Sequence, residues 1–120
     1  MNLVLIEDEN ILRKSLAFFL RSKGFEVEEF DNGSDAIAYI HANHEQIDLI
    51  ITDLNLPAAG GKQVLHSSNP YKNIKKIALT VLSMEATELE VFDLGADEFI
   101  AKPFSPQVLV KRIEKLFPSS

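Results

Sequence analysis

The chain has 120 residues, 46% hydrophobic and 25% charged, with no cysteine. That suits one domain able to bury its own core, and it excludes a disulfide scaffold, a Cys-based zinc site and a thiol nucleophile. Twelve Lys and Arg against 18 Asp and Glu leave a formal charge of −6, which argues against a nucleic-acid backbone as direct partner. The longest apolar runs, such as 3–6 and 49–51, fall far short of the roughly 20 residues of a membrane span, and no basic signal region precedes the first. A soluble, unexported, cytoplasmic protein is expected.

Residues 2–7 form a Leu/Val/Ile-rich strand, followed by polar residues 8–10 that are able to cap a helix. In that helix Leu12, Leu16, Phe19 and Leu20 recur at three- and four-residue spacing, and Gly24 supplies the left-handed stop. Phe25, Val27 and Phe30 mark a second strand before the Asp31-Asn32-Gly33 turn signal. Ser34 reads as the N-cap of a second helix carrying Ala36, Ile37, Tyr39 and Ile40, which ends near Asn43. Residues 47–52 read as a strand buried on both faces, a parallel-sheet signature. After the loop holding Pro57 and Gly60-Gly61, a short helix is expected at 62–67, stopped before Asn69-Pro70. A fourth strand (77–81), a fourth helix (85–94) ended by Gly95, a fifth strand (98–102) and a fifth helix (105–117) complete the pattern.

Five βα units predict an α/β flavodoxin-like three-layer sandwich with a five-stranded parallel sheet in the order 2-1-3-4-5. Ligands then bind at the carboxyl ends of the strands, beside the switch point between strands one and three. Glu7, Asp8 and Asp53 stand at the ends of those two neighbouring strands. Three converging carboxylates raise one another's pKa unless a cation neutralises them, and hard oxygen ligands suit Mg2+ (or Mn2+). Any one of these acids alone is better explained as a cap or turn former; their joint placement favours the metal. Strands four and five end at Thr80 and Lys102. A hydroxyl, an ammonium and a metal describe a phosphoryl site with Asp53 as nucleophile. Singly, Thr80 is better read as a strand-filling β-branched residue and Lys102 as a snorkelling surface lysine; the placement of all five polar residues at strand ends on one side favours the site.

Four motifs carry a family resemblance: Leu3-Val4-Leu5-Ile6-Glu7-Asp8-Glu9, Asp53-Leu54-Asn55-Leu56-Pro57, Leu79-Thr80, and the run from Gly95 to Phe104 containing Lys102-Pro103. Over essentially the whole chain they resemble the receiver domains of bacterial two-component response regulators. The resemblance implies that Asp53 is the phosphoacceptor and that Glu7, Asp8, Asp53 and the Asn55 backbone carbonyl hold the metal. It further implies that Thr80 and Lys102 bind the phosphoryl oxygens, that the bond before Pro103 is cis, and that Thr80 and Phe99 form the switch. Phe99 stands where the family often has Tyr, so switching there acts by packing; an ordinary half-buried strand aromatic is the other reading. The partner implied is a sensor histidine kinase, and the readout surface is the fourth helix, fifth strand and fifth helix. Residues 1–118 would be the receiver and 119–120 a tail or the start of a linker.

The chain departs from the family pattern at Val81, where Ala is common, and at Gly60-Gly61, where Asp-Gly or Ser-Gly is usual. Asn55 and Leu82 occupy positions that tune phosphoryl lifetime in the family. Residues 105–113 resemble the last helix of receivers joined to winged-helix DNA-binding domains, which dimerise symmetrically. Arg112 would then meet a partner's Asp97 or Glu98, with Leu89 and Phe92 as an apolar patch; intrachain pairing and core packing are the alternative. Glu88 and Val108 stand where that subfamily carries a basic and an acidic residue. His41 and His44 share a helix face, but two histidines alone make a poor metal site, and surface histidines are the better reading. Competing functions are a phosphorylation-independent binding module of the same fold, and a flavin carrier or aspartate-dependent phosphatase. The latter two are disfavoured by the lack of a Ser/Thr-rich loop after strand one and of a second Asp in Asp53-Leu54-Asn55.

Overall fold

The computed structural model describes residues 1–56, 60–80, 89–90 and 92–118. Strands β1 (Asn2–Ile6), β2 (Glu26–Phe30), β3 (Leu49–Asp53), β4 (Lys75–Thr80) and β5 (Glu98–Ala101) form one parallel sheet in the order β2-β1-β3-β4-β5. The predicted topology is the observed one. Helices α1 (Asn10–Ser22), α2 (Gly33–Asn43) and α3 (Gly61–Ser68) and a C-terminal helix (Pro106–Leu116) accompany it, with a short 3-10 helix at His44–Gln46. Of the predicted fourth helix, Leu89, Glu90, Phe92 and Asp93 are helical, and 85–88 and 91 lie outside the described residues. Among the described residues no helix is long and apolar enough to cross a membrane.

Strand alternation divides the core between the two faces of the sheet. Leu3, Leu5, Leu49, Ile51, Ile77 and Leu79 pack with Leu16, Ala17 and Leu20 of α1 and with Leu109 and Ile113 of the C-terminal helix. Val4, Ile6 and Ile50 face Ala36 and Ile40 of α2 and Val64 of α3 on the other side. All five residues of β3 are buried, as expected of a central strand covered by helices on both faces.

Several boundaries differ from expectation for identifiable reasons. β4 begins two residues early because Lys75 and Lys76 pair with Leu49 and Ile50. Their charge conceals a strand whose second residue is buried, the Lys76 ammonium donating to the carbonyls of Tyr71 (3.2 Å) and Ile74 (2.9 Å). The N-cap of α2 is Asn32, not Ser34: its Oδ1 accepts from the N–H of Asp35, three residues on (2.8 Å). The cap position of α1 falls at Glu9, within the expected residues 8–10, but Glu9 makes no side-chain capping bond. The buried stripe of α1 is Arg13, Leu16, Ala17 and Leu20, turned from the predicted one so that an arginine enters it. Gly24 (φ +95°) and Gly95 (φ +107°) adopt the left-handed conformation expected of helix stops.

Candidate functional site

Sheet order determines which side chains meet. β1, β3, β4 and β5 lie side by side and run in one direction, so Glu7, Asp53, Thr80 and Lys102 emerge along the same carboxyl edge. Glu7 and Asp8 follow the last residue of β1, Asp53 ends β3, Thr80 ends β4, and Lys102 follows the last residue of β5. The backbone ties these ends together: the Lys102 N–H donates to Thr80 O (2.6 Å) and the Leu54 N–H to Leu79 O (2.9 Å). The peptide between Lys102 and Pro103 is cis.

The Lys102 ammonium stands 2.6 Å from Glu7 Oε1 and 2.6 Å from Asp53 Oδ2. It is therefore drawn into the pocket rather than snorkelling outward. The second oxygens are also used: Asp53 Oδ1 accepts from the N–H of Asn55 (2.8 Å), and Glu7 Oε2 from that of Glu9 (3.1 Å). Glu7, Asp8 and Asp53 each present an oxygen within 4.8 Å of the others. Glu7 and Asp53 are buried and Asp8 is exposed, which leaves the cluster open to solvent on one side.

Three carboxylates around one ammonium leave an excess of negative charge in a partly dry site. Burial, reinforced by the Asp53 charge, pushes the Glu7 carboxyl up to about 7 against the lowering effect of its bonds to Lys102 and Glu9. Burial alone would lower the Lys102 ammonium; its bonds to Asp53 and Glu7 outweigh this and hold it above its ordinary value. The donor set consists only of hard oxygens converging in a cluster with a solvent-facing member, and this fits a divalent cation such as Mg2+ that keeps part of its water shell.

Thr80 is buried at the end of β4. Phe99 is buried too, packed with Leu54, Leu65, Ala78 and Ala96 on the side of the sheet that carries α3. Sequence reasoning overlooked two contacts behind the pocket. A Cβ on Gly61, the first residue of α3, would lie 2.0 Å from the Asp53 carbonyl oxygen, so this helix seats its backbone directly on that of Asp53. The Gly60-Gly61 pair was the available signal. The other contact is Arg13, whose guanidinium reaches the Glu7 carbonyl; an arginine three residues before Leu16, on the apolar side of an amphipathic helix, was the clue.

The residues read as a dimer surface are only partly brought together. Leu89 and Phe92 are exposed, at 59% and 44%, and Val108 is exposed as well. Glu88, Pro57, Val81 and Leu82 lie outside the described residues. Arg112 pairs with Glu98 of its own chain (3.0 Å), and Asp97 accepts from the Lys76 N–H (2.9 Å). His41 hydrogen-bonds the Tyr71 hydroxyl through Nδ1 (2.6 Å), while the His44 ring stacks on Tyr71 at 4.2 Å. Both histidines pack on an aromatic ring.

Residues 3–114 match the sequence profile of the response regulator receiver domain. The chain is 36% identical over 116 residues to response regulator RR06 of Streptococcus pneumoniae, covering 97% of this chain and 52% of that protein. It is 34% identical over 115 residues to the transcriptional regulatory protein ResD of Bacillus subtilis, covering 95% and 47%. The chain thus spans about half the length of these curated relatives. Among solved structures, the non-phosphorylated HemR receiver domain of Leptospira biflexa superposes with a TM-score of 0.89 at 28% identity, covering 99% of this chain and 95% of that one. A profile match across nearly the whole length, together with the doubly wound sheet and its acidic edge, makes the chain a member of the response regulator receiver domain family.

Proposed function

We propose that this domain is a phosphoacceptor switch that takes a phosphoryl group from a sensor histidine kinase onto Asp53. The observation that carries the reading is the Lys102 ammonium 2.6 Å from Asp53, beside a carboxylate trio at the edge of the sheet. An Asp53 oxygen attacks phosphorus, the P–N bond of the phosphohistidine breaks, and the departing imidazole takes up a proton. Hydrolysis of the acyl phosphate returns the carboxylate and inorganic phosphate. Glu7, Asp8, Asp53 and the Asn55 carbonyl would hold Mg2+ (or Mn2+), which when bound supplies positive charge against the phosphoryl oxygens. Lys102 supplies the ammonium for those oxygens and Thr80 the hydroxyl. The domain assists its own phosphorylation and dephosphorylation in this reading and is not an enzyme acting on a separate substrate.

A phosphoryl group adds a charge of about −1.5 to −2 at Asp53, which biases the groups facing it. Thr80 responds first in this reading. Phe99 follows by packing alone, having no phenolic oxygen, and the surface around β5 and the C-terminal helix changes with it. The match to ResD, named a transcriptional regulatory protein, supports an output in transcription. In this reading residues 1–118 form the receiver and 119–120 a tail or the start of a linker, the protein works in the cytoplasm, and this acidic domain makes no direct DNA contact. Incubation with Mg2+ and acetyl phosphate should add one phosphoryl mass to the wild-type chain and none to Asp53→Asn. A folded wild-type protein that takes up none from small donors or from a kinase would instead be a phosphorylation-independent binding module.

A further inference from the structure

The main chain of Glu7 is held at both of its polar atoms. Its N–H donates to Phe30 O at the end of β2 (3.0 Å), and its carbonyl accepts from Arg13 Nη1 (3.0 Å). Arg13 is buried in α1, and its Nε pairs with Glu29 Oε1 on β2 (3.3 Å). The other oxygen of Glu29 accepts from Arg21 Nη1 (2.9 Å), and Arg21 Nη2 donates to Val27 O (2.7 Å). A planar guanidinium with one edge on a carboxylate and another on a carbonyl is a rigid brace, because its donors have a fixed mutual geometry.

The carbonyl gripped by Arg13 belongs to the peptide plane joining Glu7 to Asp8. The Glu7 side chain has its own fixings, the Lys102 ammonium and the Glu9 N–H. Asp8 is exposed, so the orientation of that peptide governs where its carboxylate stands. We propose that Arg13, steadied by Glu29, is a positioning residue for cation binding, fixing the Glu7–Asp8 peptide so that Asp8 stays within reach of Glu7 and Asp53. This rests on the reading of the acidic trio as a Mg2+ site. Two effects of Arg13 have opposite sign. A positive charge near the trio weakens cation binding, so its loss by charge alone would tighten Mg2+. Its loss as a brace loosens Mg2+, and outer groups that orient ligands typically matter by about 10–100-fold in affinity.

The test is calorimetric titration of Mg2+ into wild type, Arg13→Met, Glu29→Gln and Arg21→Met, each with a urea unfolding curve. Arg21→Met is the control: it loses a bond to the same Glu29, and Arg21 bonds Val27 where Arg13 bonds Glu7. Arg13→Met should weaken Mg2+ by about tenfold or more and Glu29→Gln by a smaller factor, while Arg21→Met keeps the wild-type affinity whatever its stability. Unchanged or tighter Mg2+ binding in folded Arg13→Met overturns the proposal, as does equal weakening in Arg21→Met. If Arg13→Met does not fold, unchanged affinity in Glu29→Gln overturns it. Wild type that binds no Mg2+ would remove the metal reading and the brace together, whereas normal wild-type binding with an indifferent Arg13→Met removes the brace alone.

Discussion

Raising the pH should destabilise the metal-free domain, and the effect should be traceable to one carboxyl. Glu7 titrates near 7 in the fold against an ordinary value of 4.5, chiefly because its buried carboxylate is poorly hydrated. Between these values the folded chain binds more protons than the unfolded one, so stability is full below 4.5 and falls as pH rises through 7. At about 1.4 kcal/mol per pH unit of difference, the stability lost between pH 5 and pH 8 is about 2–3 kcal/mol. With a urea dependence of about 1–3 kcal/mol per molar, that moves the unfolding midpoint down by about 0.7–3 M. The measurement is urea unfolding in a chelator at both pH values for wild type and Glu7→Gln. The amide keeps an acceptor for Lys102 but cannot ionise, so Glu7→Gln should match wild type near pH 5 and exceed it at pH 8. Comparing the two chains cancels the other titrating groups. A wild-type midpoint that holds or rises from pH 5 to 8, or a Glu7→Gln variant that falls as steeply, would refute the reasoning.

Lys102→Met leaves two buried carboxylates without their ammonium; by analogy with broken buried ion pairs it should lose about 3–5 kcal/mol at pH 8 in the absence of Mg2+, and less at pH 6, where Glu7 takes up a proton. Paired urea curves at the two pH values check this. Gly61→Ala forces a methyl into the Asp53 carbonyl and should cost about 1–3 kcal/mol, the range for overpacking; acetyl phosphate labelling should slow as well because the nucleophile's own backbone must shift. Asn32→Ala removes the bond that its Oδ1 accepts from the Asp35 N–H and should cost about 1 kcal/mol, with labelling of Asp53 unaltered.

Legibility followed hydration. β1 and β3 could be read from sequence because their own side chains from Leu3 to Ile6 and from Leu49 to Ile51 are apolar and buried, and Gly24 and Gly95 because the left-handed conformation has few other occupants. The convergence of Glu7, Asp53 and Lys102 followed from topology alone, once the strand order was known. What escaped were polar groups satisfied by partners that only the folded backbone brings to them. Lys76 conceals the start of β4 since its ammonium finds carbonyls in the preceding loop. Arg13 turns the buried face of α1 since Glu29 and the Glu7 carbonyl receive it. Asn32 is the cap in place of Ser34 because α2 begins at Gly33, which puts Ser34 inside the helix and leaves Asn32 at the position whose side chain reaches the third N–H. In each case a one-dimensional pattern records the charge or polarity of a residue and is blind to the acceptor awaiting it.

Glu98 already has its cation. Should two such domains meet through the face bearing Arg112, that guanidinium would have to leave a neighbour 3.0 Å away before greeting a foreign acid. One attraction is exchanged for another of the same kind, so the net electrostatic gain is small and added salt should scarcely alter the association. The cohesion would instead come from withdrawing Leu89 and Phe92 from water, which makes such a pairing sensitive to their size and to temperature.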